Sequence, residues 1–270
     1  MSNFSLIIYG LLGCLSGGLL NVLADYLPRR EPPNVPACTF CGKPHAWPSW
    51  LAVTAYALAQ GHCTHCGTRI PLRHLVTELT TAVLFAFLWQ RYGPSPRLFL
   101  ETLYTAIFVL LFVIDLEHRL ILHVTTLPAI VLAIAGSFFL NRADYNWRLA
   151  LLGGATGLLL VLGMYLFGHL FVLLMERYRT QKIGEVAFGF GDVTLAAFIG
   201  LVVGFPQVIF ALLLGILLGG AGGAVYWLIK VVIRHDYSLF TAIPYGPFLV
   251  VGGWSLMIWS QEFILGFKVG

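Results

Sequence analysis

Two aspartates interrupt otherwise apolar sequence. Asp115 ends the run Phe112-Val113-Ile114-Asp115, ahead of Leu116-Glu117-His118-Arg119, and Asp192 closes Gly189-Phe190-Gly191-Asp192 before Val193-Thr194-Leu195. An ionisable group at the edge of an apolar span is costly, so each is a functional suspect. Two carboxylates that approach each other hold one proton between them, because like charges a few ångströms apart do not both ionise cheaply. Such a pair can hydrolyse a peptide bond without a metal or a nucleophilic side chain. Its ionised member takes a proton from water and its neutral member donates to the scissile carbonyl oxygen. Gly189 and Gly191 let backbone approach closely and leave polar groups available to an extended substrate strand. A plainer reading stands beside this one: Asp192 caps a helix, and Asp115 pairs with Arg119 four residues on.

Four cysteines form the second constellation. Cys38 and Cys41 make one C-x-x-C pair and Cys63 and Cys66 another, with 21 residues between the pairs. Each short knuckle supplies two sulfurs and the loop brings the knuckles together, which suits a tetrahedral thiolate site for zinc. Gly42 and Gly67 each follow the second cysteine of a pair, where a knuckle turn calls for positive φ. Four sulfurs leave no open coordination position, so this metal is expected to be structural. Two disulfides or four free thiols are the competing reading. His62 and His65 read as surface histidines, and Cys14 as a small packed apolar residue.

Other candidates read as structural. Glu117, His118 and Arg119 look like a solvated turn and His123 and His169 like satisfied polar residues, while Glu78, near the inner end of the second span, either faces the cysteine module or, as the safer reading, is an interfacial carboxylate. Gly219, Gly220, Gly222 and Gly223 suit close helix packing, since no strand precedes them and no Lys-Ser or Lys-Thr follows.

The elements that must position these groups are membrane helices. Only 10% of the 270 residues are charged and 59% are hydrophobic, with a mean hydropathy of +0.85, whereas a soluble domain has about a quarter of its positions charged. The net charge of +4 is better explained by topology than by nucleic-acid binding. Eight apolar stretches suggest about eight transmembrane helices in an all-α polytopic fold: 5–23, 75–89, 98–114, 121–140, 149–174, 193–203, 207–233 and 247–265. The sixth is about half the usual length, and Pro206 marks a turn after it. The first lacks a basic start and a small-residue cleavage site, so it reads as a retained span.

One set of loops, with the helix end at Lys230, holds eleven of the sixteen Lys and Arg residues: Arg29, Arg30, Lys43, Arg69, Arg73, Arg119, Arg177, Arg179, Lys182, Lys230 and Arg234. The positive-inside rule makes that set cytoplasmic and turns both termini outward. The third span then ends, and the sixth begins, at the cytoplasmic face, so both aspartates fall at one depth. The organisation expected is a first helix over 1–24, a zinc-stapled cytoplasmic module over 25–74, and a seven-helix membrane domain over 75–270. The module is too poor in aliphatics to build a large core.

Taken in order, these features resemble the type IV prepilin peptidases, intramembrane GxGD aspartic peptidases, over nearly the whole chain. The matching stretches are Gly17-Gly18-Leu19-Leu20-Asn21-Val22 with Leu27-Pro28, the paired C-x-x-C motifs and Thr77-Glu78-Leu79-Thr80. Ile114-Asp115 with Glu117, Gly189-Phe190-Gly191-Asp192 and Ile243-Pro244-Tyr245-Gly246-Pro247 complete the set. The resemblance implies that Asp115 and Asp192 cut a short basic leader from a prepilin or pseudopilin already in the bilayer, as in type IV pilus and type II secretion systems. Members with the cysteine module commonly also methylate the new N-terminus with S-adenosylmethionine. No Gly-rich strand-to-helix turn of the soluble donor-binding kind is present, and no residue is assigned to that cofactor. His123 stands where the family commonly has Asp, Thr194 where it often has Lys, and Val186 where it often has Glu, which bears on substrate preference. The rival classes are a transporter relaying protons between two carboxylates near the bilayer midplane and a noncatalytic assembly factor docking through the cysteine module. A presenilin-type protease would share G-x-G-D without needing the cysteines.

Overall fold

The structure, a computed structural model, describes residues 3–32, 35–38, 40–45, 49–59, 61–140, 145–178, 189–234 and 245–268. Among the described residues nine α-helices follow one another: α1 Asn3–Tyr26, α2 Ala52–Ala59, α3 Leu72–Tyr92, α4 Pro96–His118, α5 His123–Phe139, α6 Trp147–Tyr178, α7 Phe190–Val203, α8 Gln207–Arg234 and α9 Gly246–Lys268. Among the described residues there is no β-sheet, only two isolated bridges in the cysteine region.

Each of the eight apolar stretches becomes a helix, and α2 is an addition. Five helices, α1, α3, α4, α6 and α8, are long and apolar enough to cross a membrane, while the apolar parts of α5, α7 and α9 are shorter. The chain is therefore an all-α, multi-pass membrane protein, in which, among the described residues, five helices rather than eight meet the length of a full crossing. Glu117 and His118 belong to the last turn of α4 and not to a loop. The helix closes at Arg119, whose φ is 53° and whose N–H donates to the Asp115 carbonyl at 2.9 Å.

The chain forms two compact units, Met1–Ile114 and Asp115–Gly270. In the first, α1 packs along α3. Side chains at Gly13 and Gly17 would place a Cβ 2.7 Å from Ala82 Cα and 2.6 Å from Glu78 Cα, so the absence of side chains sets the crossing distance. Polar contacts then lock the C-terminal end of α1 to the start of α3. Asn21 donates to the His74 carbonyl at 3.0 Å, and Asp25 pairs with Arg73 and, at 3.4 Å, with His74.

Glu78 faces the cysteine region and not solvent. It is 1% exposed, and its two carboxylate oxygens accept the N–H groups of Ala52 and Val53 at 2.7 and 2.8 Å. The first turn of a helix leaves such donors without partners. The residue before α2 is Leu51, whose side chain cannot accept a hydrogen bond, and a carboxylate 26 residues from Ala52 supplies the acceptors and ties the cysteine region to α3.

In the second unit α7 is central, touching α5, α6, α8 and α9. From Asp192 to Val203 every residue but Thr194 is buried, as expected of a helix that is apolar all round. It is also 14 residues long, too short to span the bilayer at 1.5 Å per residue. α6 meets α7 backbone to backbone at Gly153 and Gly200, where a Cβ on either would overlap the other. α8 and α9 meet the same way at Gly215 and Gly252. Gly219 and Gly222 lie against Tyr245 and Phe248, which makes them packing glycines.

Candidate active site and cysteine centre

The second unit contains both aspartates. Asp115 sits in the last turn of α4 and is 5% exposed, while Asp192 sits in the first turn of α7 and is 8% exposed. The Asp192 carboxylate acts on Asp115 through space as a like charge, and Arg119 acts on it as an opposite one.

Backbone, more than side chains, frames the pair. Asp192 Oδ2 accepts the N–H of Gly189 at 2.8 Å, the half of a capping box that a glycine N-cap permits. The capping role weighed from sequence is therefore real for Asp192. Asp115 Oδ2 is sealed from solvent, and the Gly246 N–H faces it without closing a hydrogen bond of standard geometry. A Cβ on Gly246 would overlap that carboxylate and come within 3.2 Å of Ile121 Cδ1. A Cβ on Gly191 would lie 2.7 Å from Ile121 Cβ. Ile121 thus wedges between the Gly191 and Gly246 backbones, with one aspartate beside each.

Sequence reasoning did not single out Ile121 or give Gly246 a role. Nothing about an isoleucine in a short loop advertises a site, whereas Gly246 lay within the closing signature and could have been flagged. His123 was read as a satisfied polar residue, but it is exposed and stacks on Phe190 with ring centroids 5.5 Å apart. Tyr165 meets the edge of the same Phe190 and packs on His169. An exposed aromatic cluster therefore flanks the Gly-Phe-Gly-Asp turn. Val186 lies outside the described residues.

The cysteines gather in the first unit. Their four sulfurs lie within 4.8 Å of one another, with Cys38 to Cys66 at 3.7 Å and Cys41 to Cys63 at 4.0 Å. None is joined in a disulfide, these separations being far beyond the ~2.05 Å of an S–S bond. The two knuckles repeat one design. Cys38 N–H donates to Lys43 O at 3.0 Å and Gly42 N–H to Cys38 O at 2.8 Å; Cys63 N–H donates to Thr68 O at 2.8 Å and Gly67 N–H to Cys63 O at 2.9 Å. Bridges Ala37–Pro44 and His62–Arg69 close them. Gly42 and Gly67 have φ of 68° and 71° with open space around each, so backbone conformation alone calls for glycine.

Comparison with known proteins agrees with this division. Residues 11–92 match the bacterial peptidase A24 N-terminal domain and 102–224 the type IV leader peptidase family. The chain is similar to the prepilin leader peptidase/N-methyltransferase of Pseudomonas putida, at 30% identity over 93% of this chain and 89% of that one. It is also similar to its namesakes in Pseudomonas aeruginosa, at 28% over 93% and 89%, and in Xanthomonas campestris pv. campestris, at 25% over 95% and 92%. No solved structure gives a significant match. With both family domains matched in order and relatives aligned over most of its length, the chain belongs to the type IV prepilin leader peptidase family.

Proposed function

We propose that this protein is an aspartic endopeptidase that removes the leader from prepilins or pseudopilins in the membrane, with Asp115 and Asp192 as the catalytic pair. The observation that carries the reading is the occurrence of both carboxylates in one compact unit, each buried, at the helix ends of α4 and α7. One carboxylate takes a proton from the attacking water as the other donates to the carbonyl oxygen of the scissile bond. The Gly189 N–H steadies the Asp192 carboxylate, and the bare Gly191 backbone leaves room for Ile121 beside it. A transporter would place its carboxylates at mid-helix, near the bilayer midplane, which the helix-end positions do not favour.

The excess of Lys and Arg in one set of loops supports a cytoplasmic location for the cysteine region and the aspartates, with both termini outward, in a bacterial inner membrane. Cys38, Cys41, Cys63 and Cys66 would hold a structural Zn²⁺. Tetrahedral bonds of ~2.3 Å place thiolate sulfurs about 3.8 Å apart, and the 3.7 and 4.0 Å separations fit. The relatives' name pairs leader cleavage with N-methylation, and we assign both activities to this chain, the second with S-adenosylmethionine as donor.

The test is Asp115→Asn and Asp192→Asn, each purified in detergent and given a pilin-like precursor. Each is expected to lose cleavage by about 10³-fold or more while inserting and unfolding like the wild type. Unchanged processing by either variant refutes the assignment, and a noncatalytic assembly factor would tolerate both.

A further inference from the structure

Four rings meet in the second unit beside the turn that carries Asp192. Phe190, the first residue of α7, lies between Gly189 and Gly191 and is 50% exposed. The exposed ring of His123, the first residue of α5, stacks on it at 5.5 Å with the two planes 9° apart. From α6, Tyr165 meets Phe190 edge-on at 6.1 Å and packs on His169 at 4.2 Å. His169 Nδ1 in turn lies 3.0 Å from the Tyr165 carbonyl oxygen.

Core packing does not account for this cluster. Phe198, two turns further along α7, is 0% exposed, whereas Phe190 and both histidines stand at the surface. Lipid does not account for it either, because imidazoles set against hydrocarbon are costly. Three helices hold the rings in place while leaving their outer edges open. Such a surface suits a peptide, which brings apolar side chains together with backbone polar groups.

Position ties the cluster to the reaction. Asp192 stands two residues beyond Phe190, and residues two apart on a helix do not share a face. A helix with its side chains is ~10–12 Å across, and an extended chain advances ~3.3 Å per residue. A substrate cut at Asp192 therefore reaches the rings about three or four residues from its scissile bond. None of the four rings carries a negative charge, so a basic leader gains no ion pair from them. On the same side of α6, one turn beyond His169, come Val172 and Leu173, and Leu173 is 65% exposed. The cluster opens onto apolar surface, which fits the hydrophobic side of the cut and not the leader.

Resting on the leader-cleavage reading above, we infer that His123 and Phe190 form a specificity subsite for a large apolar side chain of the precursor, three or four residues to the mature side of the scissile bond. Neither residue touches the reacting atoms. Tyr165 and His169 hold the Phe190 ring from α6, and the exposed edges of the stacked pair receive the side chain.

The experiment measures kcat/KM for full-length protein in detergent on pilin precursors in which the third or fourth residue, before or after the cut, is Phe, Leu or Ala. An aromatic contact is worth about two- to twelvefold, so wild type is expected to prefer Phe or Leu over Ala by that factor at a position after the cut. Phe190→Ala and His123→Ala should each reduce the preference below twofold while cutting the Ala precursor within threefold of wild type. The two substitutions lie on different helices, so a folding defect in one leaves the other informative. A wild type with no preference after the cut, a preference that survives in both variants, or an equal loss on all precursors overturns the subsite. A preference that the variants abolish only before the cut overturns its placement on the mature side. A wild type that leaves even the unaltered precursor uncut overturns the leader-cleavage reading itself.

Discussion

The arrangement of Gly246 against Asp115 makes a quantitative prediction for Gly246→Ala. Gly246 is not among the positive-φ residues, so the backbone there accepts alanine without conformational cost. Space is the obstacle: the added Cβ would stand 2.9 Å from Asp115 Cγ and 3.2 Å from Ile121 Cδ1. Two carbons rest at ~3.5–4.0 Å, so the Asp115 carboxylate must retreat by about 0.6–1 Å. A misplacement of ~1 Å at a reacting group costs on the order of 10²-fold, equivalent to about 2.7 kcal/mol of barrier. The assay is kcat/KM for leader removal from a pilin precursor in detergent, with thermal unfolding measured in parallel. Gly220→Ala is the matched control, since its Cβ would enter open space; it should stay within twofold of wild type. If Gly246→Ala cleaves as fast as Gly220→Ala while both unfold normally, the position of Asp115 does not govern the reaction, and the mechanism proposed here is wrong.

Glu78→Gln replaces one of two acceptors and leaves an α2 N–H unpaired beside a residue 1% exposed. The cysteine region should lose about 1–3 kcal/mol, seen as faster limited proteolysis between residues 30 and 72. Cys41→Ser breaks the sulfur tetrahedron, so metal analysis should fall from about one zinc per chain toward none. Because the aspartates belong to the other compact unit, leader cleavage by that variant should persist, and its loss together with zinc would show that the module serves the peptidase directly.

Where a feature depends on spacing alone, the sequence displays it openly. The knuckles are an example: two cysteines three apart, followed by glycine, leave few alternatives, and the φ values at Gly42 and Gly67 follow from that local turn. The long helices were similarly legible because membrane burial demands an unbroken apolar run. α2 was not, being eight residues long, too short for periodicity to register and capped from α3 instead of from its own flank. The same limit hid Ile121, whose importance arises from two glycines that lie 70 and 125 residues further along the chain. Span ends were read short as well, since polar residues continue a helix whose last turn is held by backbone bonds. That is why Glu117 and His118 looked like loop and belong to α4.

The two glycines before Asp192 read alike in the sequence, as small residues that let backbone come close, yet the structure gives them different reasons. Gly189 has φ of −86°, ordinary for any residue, and a Cβ there would sit 3.8 Å from Asp192 Oδ2, at normal contact distance. What Gly189 contributes is its N–H to that carboxylate at 2.8 Å, which alanine keeps. Gly191 contributes space, because a Cβ there would come 2.7 Å from Ile121 Cβ and 2.9 Å from its carbonyl oxygen. Relief would have to come through the Ile121 backbone, which cannot swing away as the end of a flexible side chain can. Gly189→Ala should therefore retain cleavage within about threefold, while Gly191→Ala should lose on the order of 10²-fold by shifting Ile121 and α7 against each other. Equal loss in both variants would mean that substrate backbone passes directly over Gly189 as well, and that the turn is part of the binding groove as much as a support for Asp192.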